Sequence, residues 1–270
     1  MRMNIHSPTP GRTGNEAAPC ASRRWRPAAR ATGRADLHVH TIWSDGAQRP
    51  EAIVRACAGR LDVVAITDHD EIRGALEARR FATEHPELGV EVVIGEEIST
   101  RNGHLLGLYL DEAVEPGLSA AESIARIHDQ GGLAIAAHPF HPMRGGMRGH
   151  RSVGALIPGL ALDGIEIVNN AGVFSWLYDA WAALHNVDWA LPVTGGSDAH
   201  DVWYVGNGVT RFAGRSAADL RRALATGRTR AHRDWAWSAG KMPRHLRIQT
   251  RSLLRFLWLC RQRRRVASMP

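Results

Sequence analysis

The sequence predicts an α/β fold, and within that class a closed β/α barrel. Three observations predict it. From residue 35 onward, short apolar, β-branched runs alternate with helix-like segments in about seven units. Nearly every run ends in a histidine or a carboxylate, and the C-terminal strand ends of such a barrel share one face. The 270-residue chain is 44% hydrophobic, enough to bury a sizeable core and unlike a disordered chain.

Strands are expected over 35–41, 62–69, 91–99, 104–110, 133–139, 164–170 and 191–198, all in one parallel sheet. Helices are expected over 49–59, 71–84, 119–130, 175–186 and 216–226. Ser119 stands three residues before Glu122, the spacing of a capping box, and Gly131 closes that helix. Ser216 and Gly227 bracket the last one in the same way. The stretch 141-HPMRGGMRGHRSVG-154 is glycine rich, basic and without period, and reads as a long loop. The segment 243-PRHLRIQTRSLLRFLWLCRQRRR-265 reads as a basic amphipathic helix, with Trp235, Trp237 and Trp258 as packing anchors or interfacial aromatics.

Charge divides the chain. Residues 1–34 hold seven arginines against one acid, and residues 228–270 hold twelve Lys/Arg against one acid. The middle therefore carries a net −10, unlike a dedicated nucleic-acid-binding domain. The expected organisation is a disordered basic extension over 1–33, a barrel over 34–231 and a basic helical tail over 232–270. No window reaches the roughly 18 apolar residues of a membrane span. The twin arginine in 23-RRWRPAAR-30 is not followed by an apolar stretch, which argues against an export signal. Cys20, Cys57 and Cys260 form no CxxC pair, so neither a disulfide framework nor a thiolate zinc site is expected, and a cytoplasmic setting fits.

The strand ends carry the chemistry. His38 and His40 lie two apart in 36-DLHVHTIWSDG-46 and so share a strand face, with Asp45 at the turn beyond. His69 sits in 67-TDHD-70, Glu96 and Glu97 in 95-GEEIS-99, and His104 opens the next strand. His138 follows in 137-AHP-139, and Asp198 and His200 in 197-SDAH-200. A histidine and carboxylate set without cysteine suits Mn, Zn or Fe. It exceeds what one ion needs, so two to three divalent metal ions are expected, able to activate a water for hydrolysis.

These motifs, in this order and spacing, resemble those of the PHP (polymerase and histidinol phosphatase) metallo-phosphoesterases over residues 36–200. The resemblance implies a distorted (β/α)7 barrel with its metal site at the C-terminal ends of the strands. It implies one metal on His38, His40, Glu97 and Asp198, and a second on Glu97, His104 and His138. A third would use Asp45, His69 and His200. Strand alternation lets only one of Glu96 and Glu97 face the centre, and the family's order favours Glu97. The implied activity is hydrolysis, through a metal-bound hydroxide, of a small nucleotide-like phosphomonoester or the end of a short oligonucleotide. The leaving alcohol is protonated by a group such as His200 or Asp198, the two catalytic candidates, or stabilised by a metal.

Other residues weigh between function and structure. Arg144, Arg148 and Arg151 could bind phosphate, or lie in a solvated loop. His141 is read as lining the pocket, and Asn169 or Asn170 as a substrate contact or a strand-ending turn. Asp70 is expected to cap the helix after it, Asp68 to orient a ligand histidine, and Asp36 to be on the surface. His6, His85, His128, His185, His232 and His245 are read as structural or surface. The partner is a phosphorylated small molecule or a short nucleic acid, and the basic tail could contact an anionic surface. The rival readings are an amidohydrolase-like enzyme cleaving C–N or carbamate bonds, and a metal-stabilised PHP module without catalysis.

Overall fold

A computed structural model of the chain describes residues 32–141, 152–169 and 175–234, together with helical positions 243, 246, 247, 250, 251 and 254. The strands are β1 (Thr32–Asp36), β2 (Val63–Ile66), β3 (Glu91–Thr100), β4 (Gly103–Leu108), β5 (Leu133–Ala136), β6 (Gly164–Asn169), β7 (Val193–Gly196), β8 (Gly208–Ala213) and β9 (Arg230–Arg233). The helices are α1 (Pro50–Cys57), α2 (Arg73–Glu84), α3 (Ala120–Asp129), α4 (Ser175–Trp189) and α5 (Ala217–Ala225), with 3-10 turns at Pro86–Leu88 and Val153–Gly159. No helix among the described residues is long and apolar enough to cross a membrane.

The strands form one barrel-like sheet in the order β7-β6-β5-β4-β3-β2-β1-β8-β9. It is mixed rather than parallel throughout. β1, β2 and β3 run parallel, as do β5, β6 and β7, but β4 is antiparallel to both of its neighbours. The reason is chain length. Only Arg101 and Asn102 separate β3 from β4, and a parallel crossover needs a dozen residues or more. The reversal puts His104, near the start of β4, at the rim where the parallel strands end.

Two strands, β8 and β9, were not expected. β8 pairs antiparallel with β1 over Thr32–Ala35, and β9 pairs antiparallel with β8. β9 spans residues 230–233, across the boundary at 231 expected between barrel and tail. Closure comes beyond the formal ends of β1 and β7. The chain at 38–40 is flanked by Thr67 on one side, whose N–H reaches Val39 O at 2.9 Å, and by Ala199 on the other, whose carbonyl accepts from His40 N at 2.9 Å. Gly196 makes this approach feasible, because a Cβ there would stand 2.5 Å from His38 Cβ and 2.6 Å from Glu166 Oε1.

Both faces of β2 are buried, which is why 63-VVAI-66 is an unbroken apolar run. Val64 and Ile66 join Ile53, Val54, Ala75, Ile94 and Ile98 in one core cluster with the helices. Val63 and Ala65 join Ala35, Leu37, Val93, Leu106 and Ile135 in a second, completed by Leu220 and Leu224 of α5. The capping boxes at Ser119–Glu122 and Ser216–Asp219 set the starts of α3 and α5. Asp70 does not cap α2. That helix has Ile72 at its N-cap, and Asp70 Oδ1 instead accepts from Ser99 N of β3 at 2.7 Å.

Candidate metal centre

Strand β3 shows how the sheet aims one acid of an adjacent pair. Val93 belongs to the second core cluster and Ile94 and Ile98 to the helix-facing one. Glu97 shares the parity of Val93 and points among the histidines, whereas Glu96 turns the other way and accepts from Val114 N at 2.8 Å. The two oxygens of Glu97 divide five histidines between them. Oε2 lies 3.0 Å from His38 Nε2, 3.2 Å from His40 Nε2 and 3.4 Å from His69 Nδ1. Oε1 lies 2.6 Å from His104 Nδ1 and 2.9 Å from His138 Nε2.

Two further carboxylates flank Glu97. Asp198 Oδ1 lies 3.3 Å from His40 Nε2 and 3.8 Å from His38 Nε2. Asp45 Oδ2 lies 3.1 Å from His200 Nε2 and 3.8 Å from His69 Nε2. All nine residues are buried. Four groups among them bring their ligand atoms within 4.8 Å of one another: His40, Asp45, His69 and His200; His38, His138 and Asp198; His38, His40 and Glu97; and His69, Glu97 and His104. The nine residues are thus brought into one cluster, with His38, His40, His69 and Glu97 each shared between two of these groups. His138 and Asp198 both take positive φ, 27° and 51°, conformations kept only where the surroundings enforce them.

The electrostatics fit cations. Burial alone would disfavour a charged His40, but Asp198, Glu97 and Asp45 outweigh it and push its pKa up to about 10. His38 rises the same way, against burial, under Asp198, Glu97 and Glu166. Burial works against ionisation of Glu97 too, yet His69, His38 and His104 hold it well below the carboxylate range. Asp45 is held down, against burial, by His200, His69 and His40. His69 is the exception: burial outweighs Glu97 and Asp45 and lowers its pKa to about 4.

The donor chemistry sharpens the fit. His200 Nδ1 lies 2.9 Å from the Asp198 carbonyl oxygen, which can only accept, so that nitrogen carries the ring proton. Nε2 is then the nitrogen that faces Asp45 Oδ2, at 3.1 Å. His38 repeats the pattern, with Nδ1 on Glu166 Oε1 at 3.2 Å and Nε2 on Glu97 Oε2. His40 Nε2 is buried between two carboxylates, 3.2 Å from Glu97 Oε2 and 3.3 Å from Asp198 Oδ1. Facing acceptors of this kind need a proton or a metal cation between them. An imidazole whose far nitrogen is held by a carboxylate is the usual supporting arrangement for a metal ligand. The residues therefore fit divalent metal ions.

Several supporting residues were missed or misplaced in sequence. Glu166 is buried in β6 and binds His38, the His138 N–H at 2.9 Å and the Asn169 amide at 2.9 Å. Its signal was a lone acid inside the apolar run 164-GIEIVN-169. Asp36 is not on the surface. It is fully buried and accepts from Ser197 N at 2.9 Å, Gly206 N at 2.7 Å and His38 N at 3.3 Å. Asp68 does not touch a ligand histidine within hydrogen-bond distance. It accepts from Thr41 N, Thr41 Oγ1 and Ser44 Oγ at 2.7, 2.7 and 2.6 Å, fixing the turn that carries Asp45.

His141 lies beside the centre, in a depression it lines with His138, Asn169, Ser175 and Tyr178. The amide of Asn169 is turned inward, donating to Glu166 and, at 3.2 Å, to Asp198 Oδ2. His185 packs against Phe140, Trp181 and Trp189, and His128 pairs with Asp163, as structural histidines do. Arg144, Arg148, Arg151, Asn170, Trp235, Trp237, Trp258, His6 and His245 lie outside the described residues.

The PHP domain family matches residues 36–137, and the PHP-associated family matches residues 187–229. An uncharacterized protein of Methanocaldococcus jannaschii is 41% identical over 148 residues, covering 50% of this chain and 81% of the relative. A 5'-3' exoribonuclease of Haemophilus influenzae is 42% identical over 86 residues, 30% of either chain. A 3',5'-nucleoside bisphosphate phosphatase of Chromobacterium violaceum is 41% identical over 90 residues, 32% of this chain and 30% of the relative. The chain thus spans about a third of the length of these named enzymes. Among solved structures, a two-domain protein of Bacteroides vulgatus containing a predicted PHP-like metal-dependent phosphoesterase aligns with TM-score 0.61 at 23% identity, over 75% of this chain and 65% of that one. By matched family, extended relative and shared barrel, the chain belongs to the PHP family.

Proposed function

We propose that the protein is a metal-dependent phosphoesterase acting on a small nucleotide-like phosphomonoester or on the end of a short oligonucleotide. The observation that carries this reading is the division of five histidines between the two oxygens of Glu97. On this reading one metal would be held by His38, His40 and Asp198 and another by His104 and His138, with Glu97 within reach of both sets. A third metal falls to Asp45, His69 and His200. When bound, such ions polarise phosphoryl oxygens and make a water nucleophilic at neutral pH.

The chain's own groups prepare the site. Glu166 fixes the His38 tautomer, and Asp68 holds the turn that aims Asp45. The Nδ1 of His200 is committed to a backbone carbonyl, so its Nε2 is the nitrogen turned toward Asp45 and the one that could reach a metal. That favours His200 as a ligand over His200 as the acid for the leaving alcohol. Asp198, set between three histidines, is favoured as a ligand on the same grounds. Recognition of the substrate is assigned to His141 and to Arg144, Arg148 and Arg151. The relatives named for nucleotide and RNA substrates support the substrate class. The buried, unpaired Cys57 accords with a reducing, cytoplasmic setting.

Purified protein assayed by elemental analysis, with a turnover screen of phosphomonoesters, phosphodiesters, amides and carbamates in added Mn, tests the proposal. Two to three metals and phosphate release are expected, and His40→Ala should lose both while keeping its circular dichroism. Metal with C–N turnover alone would move the assignment to an amidohydrolase-like reaction. Metal without turnover would make the domain a metal-stabilised module.

A further inference from the structure

The described C-terminal strand reaches the candidate metal centre through one residue. Arg233, the last residue of β9, is almost buried, with 13% of its side chain exposed, and it ion-pairs with Asp179 of α4, which is 12% exposed. The same guanidinium donates to Ser175 Oγ at 3.1 Å and to the Asn169 carbonyl oxygen at 3.1 Å. Asp179 in turn accepts from Asn169 N at 3.1 Å. The N–H and C=O of Asn169 are therefore both clamped from the α4 and β9 side. Its side-chain amide is left facing inward, where one Nδ2 donates to Glu166 Oε2 at 2.9 Å and Asp198 Oδ2 at 3.2 Å. Two carboxylates drawn together onto one amide repel each other, and hold that arrangement only if the amide itself is fixed.

We infer that Arg233, acting through Asp179 and Asn169, is a positioning residue of the metal centre. Asn169 is its inner end: it orients Asp198 toward His38 and His40, and Glu166 toward His38 and the His138 backbone. This rests on the reading of the His–carboxylate cluster as a metal site. Side chains that orient ligands from behind typically change metal affinity by about 10–100-fold.

The test is equilibrium titration of the full chain, stripped of metal, with Mn2+ alone, followed by calorimetry, with thermal melts of the same samples. Arg233→Ala and Asn169→Ala should each weaken Mn2+ binding by about 10–100-fold. The double variant should bind no more weakly than Asn169→Ala, because both sit on one chain of contacts. Arg233→Lys, which keeps the charge on Asp179 but not the fork, should fall between wild type and Arg233→Ala, and it carries the test if the alanine variant fails to fold. Folded variants with lowered melting temperature and wild-type Mn2+ affinity would overturn the inference, as would simply additive losses. A wild-type chain that binds no Mn2+ while folded would instead refute the metal reading itself.

Discussion

Two kinds of buried carboxylate stand side by side at the rim of this barrel. Asp36 and Asp68 are surrounded by donors that cannot leave: three backbone N–H groups around the first, and a backbone N–H with two hydroxyls around the second. Burial, only partly offset by those donors, raises the pKa of Asp36 to about 6 and raises Asp68 as well. Glu97 and Asp45 are as deeply buried, but their partners are imidazoles, and both are held well below the usual range. The difference separates a staple from a site. A carboxylate satisfied by fixed donors is complete when the chain folds. A carboxylate facing ring nitrogens is complete only when a cation, proton or metal, occupies the gap.

The largest effect that tests this contrast is at Glu97. Glu97→Gln replaces a shared anion with an amide whose N–H would confront ring nitrogens. Several kcal/mol of metal-derived stabilisation should go, about a thousand-fold or more in kcat/KM, with the metal lost. Chelation should lower the wild-type melting temperature and leave that of Glu97→Gln unmoved, since only a state that binds ligand is stabilised by it. Equal sensitivity of the two proteins to chelator would break the distinction.

Asp36→Asn should do the opposite. One oxygen becomes an NH2 group facing a backbone donor, which costs about 1–3 kcal/mol of folding stability in denaturant melts. Metal stoichiometry of the folded fraction should stay at the wild-type value. Loss of metal from folded Asp36→Asn would place Asp36 with the site rather than with the closure between β1, Ser197 and Gly206.

The same contrast explains what could be read from the sequence. His38, His40, Asp45, His69, Glu97, His104, His138, Asp198 and His200 were legible because ligand-type residues recur at strand ends, and strand ends of a β/α barrel converge. Asp36 and Glu166 were not, because their partners lie 161 and 128 residues away and include backbone groups, which leave no local pattern. The reversed β4 could have been read from the two residues between it and β3. β9 could not: 230-RAHR-233 has no apolar alternation, and it is held by pairing with β8 and by the ion pair of Arg34 with Asp234. The Arg233 contacts depend on that unexpected strand.

The smallest predicted effect is also the sharpest control, because it lies one residue from the largest. Glu96 is as buried as Glu97, with the same side chain and at the adjacent position in the same strand. It differs in the face of β3 it occupies, and there its Oε2 accepts the Val114 N–H. Glu96→Gln keeps a carbonyl oxygen for that bond, so it should cost less than about 1.5 kcal/mol and leave metal content and turnover at wild-type levels. A side chain on a strand cannot serve both faces, so the two variants must differ if β3 lies in this register. Metal loss in Glu96→Gln to match Glu97→Gln would mean a slipped β3, which would turn Val93 outward as well and dismantle the core beneath the site.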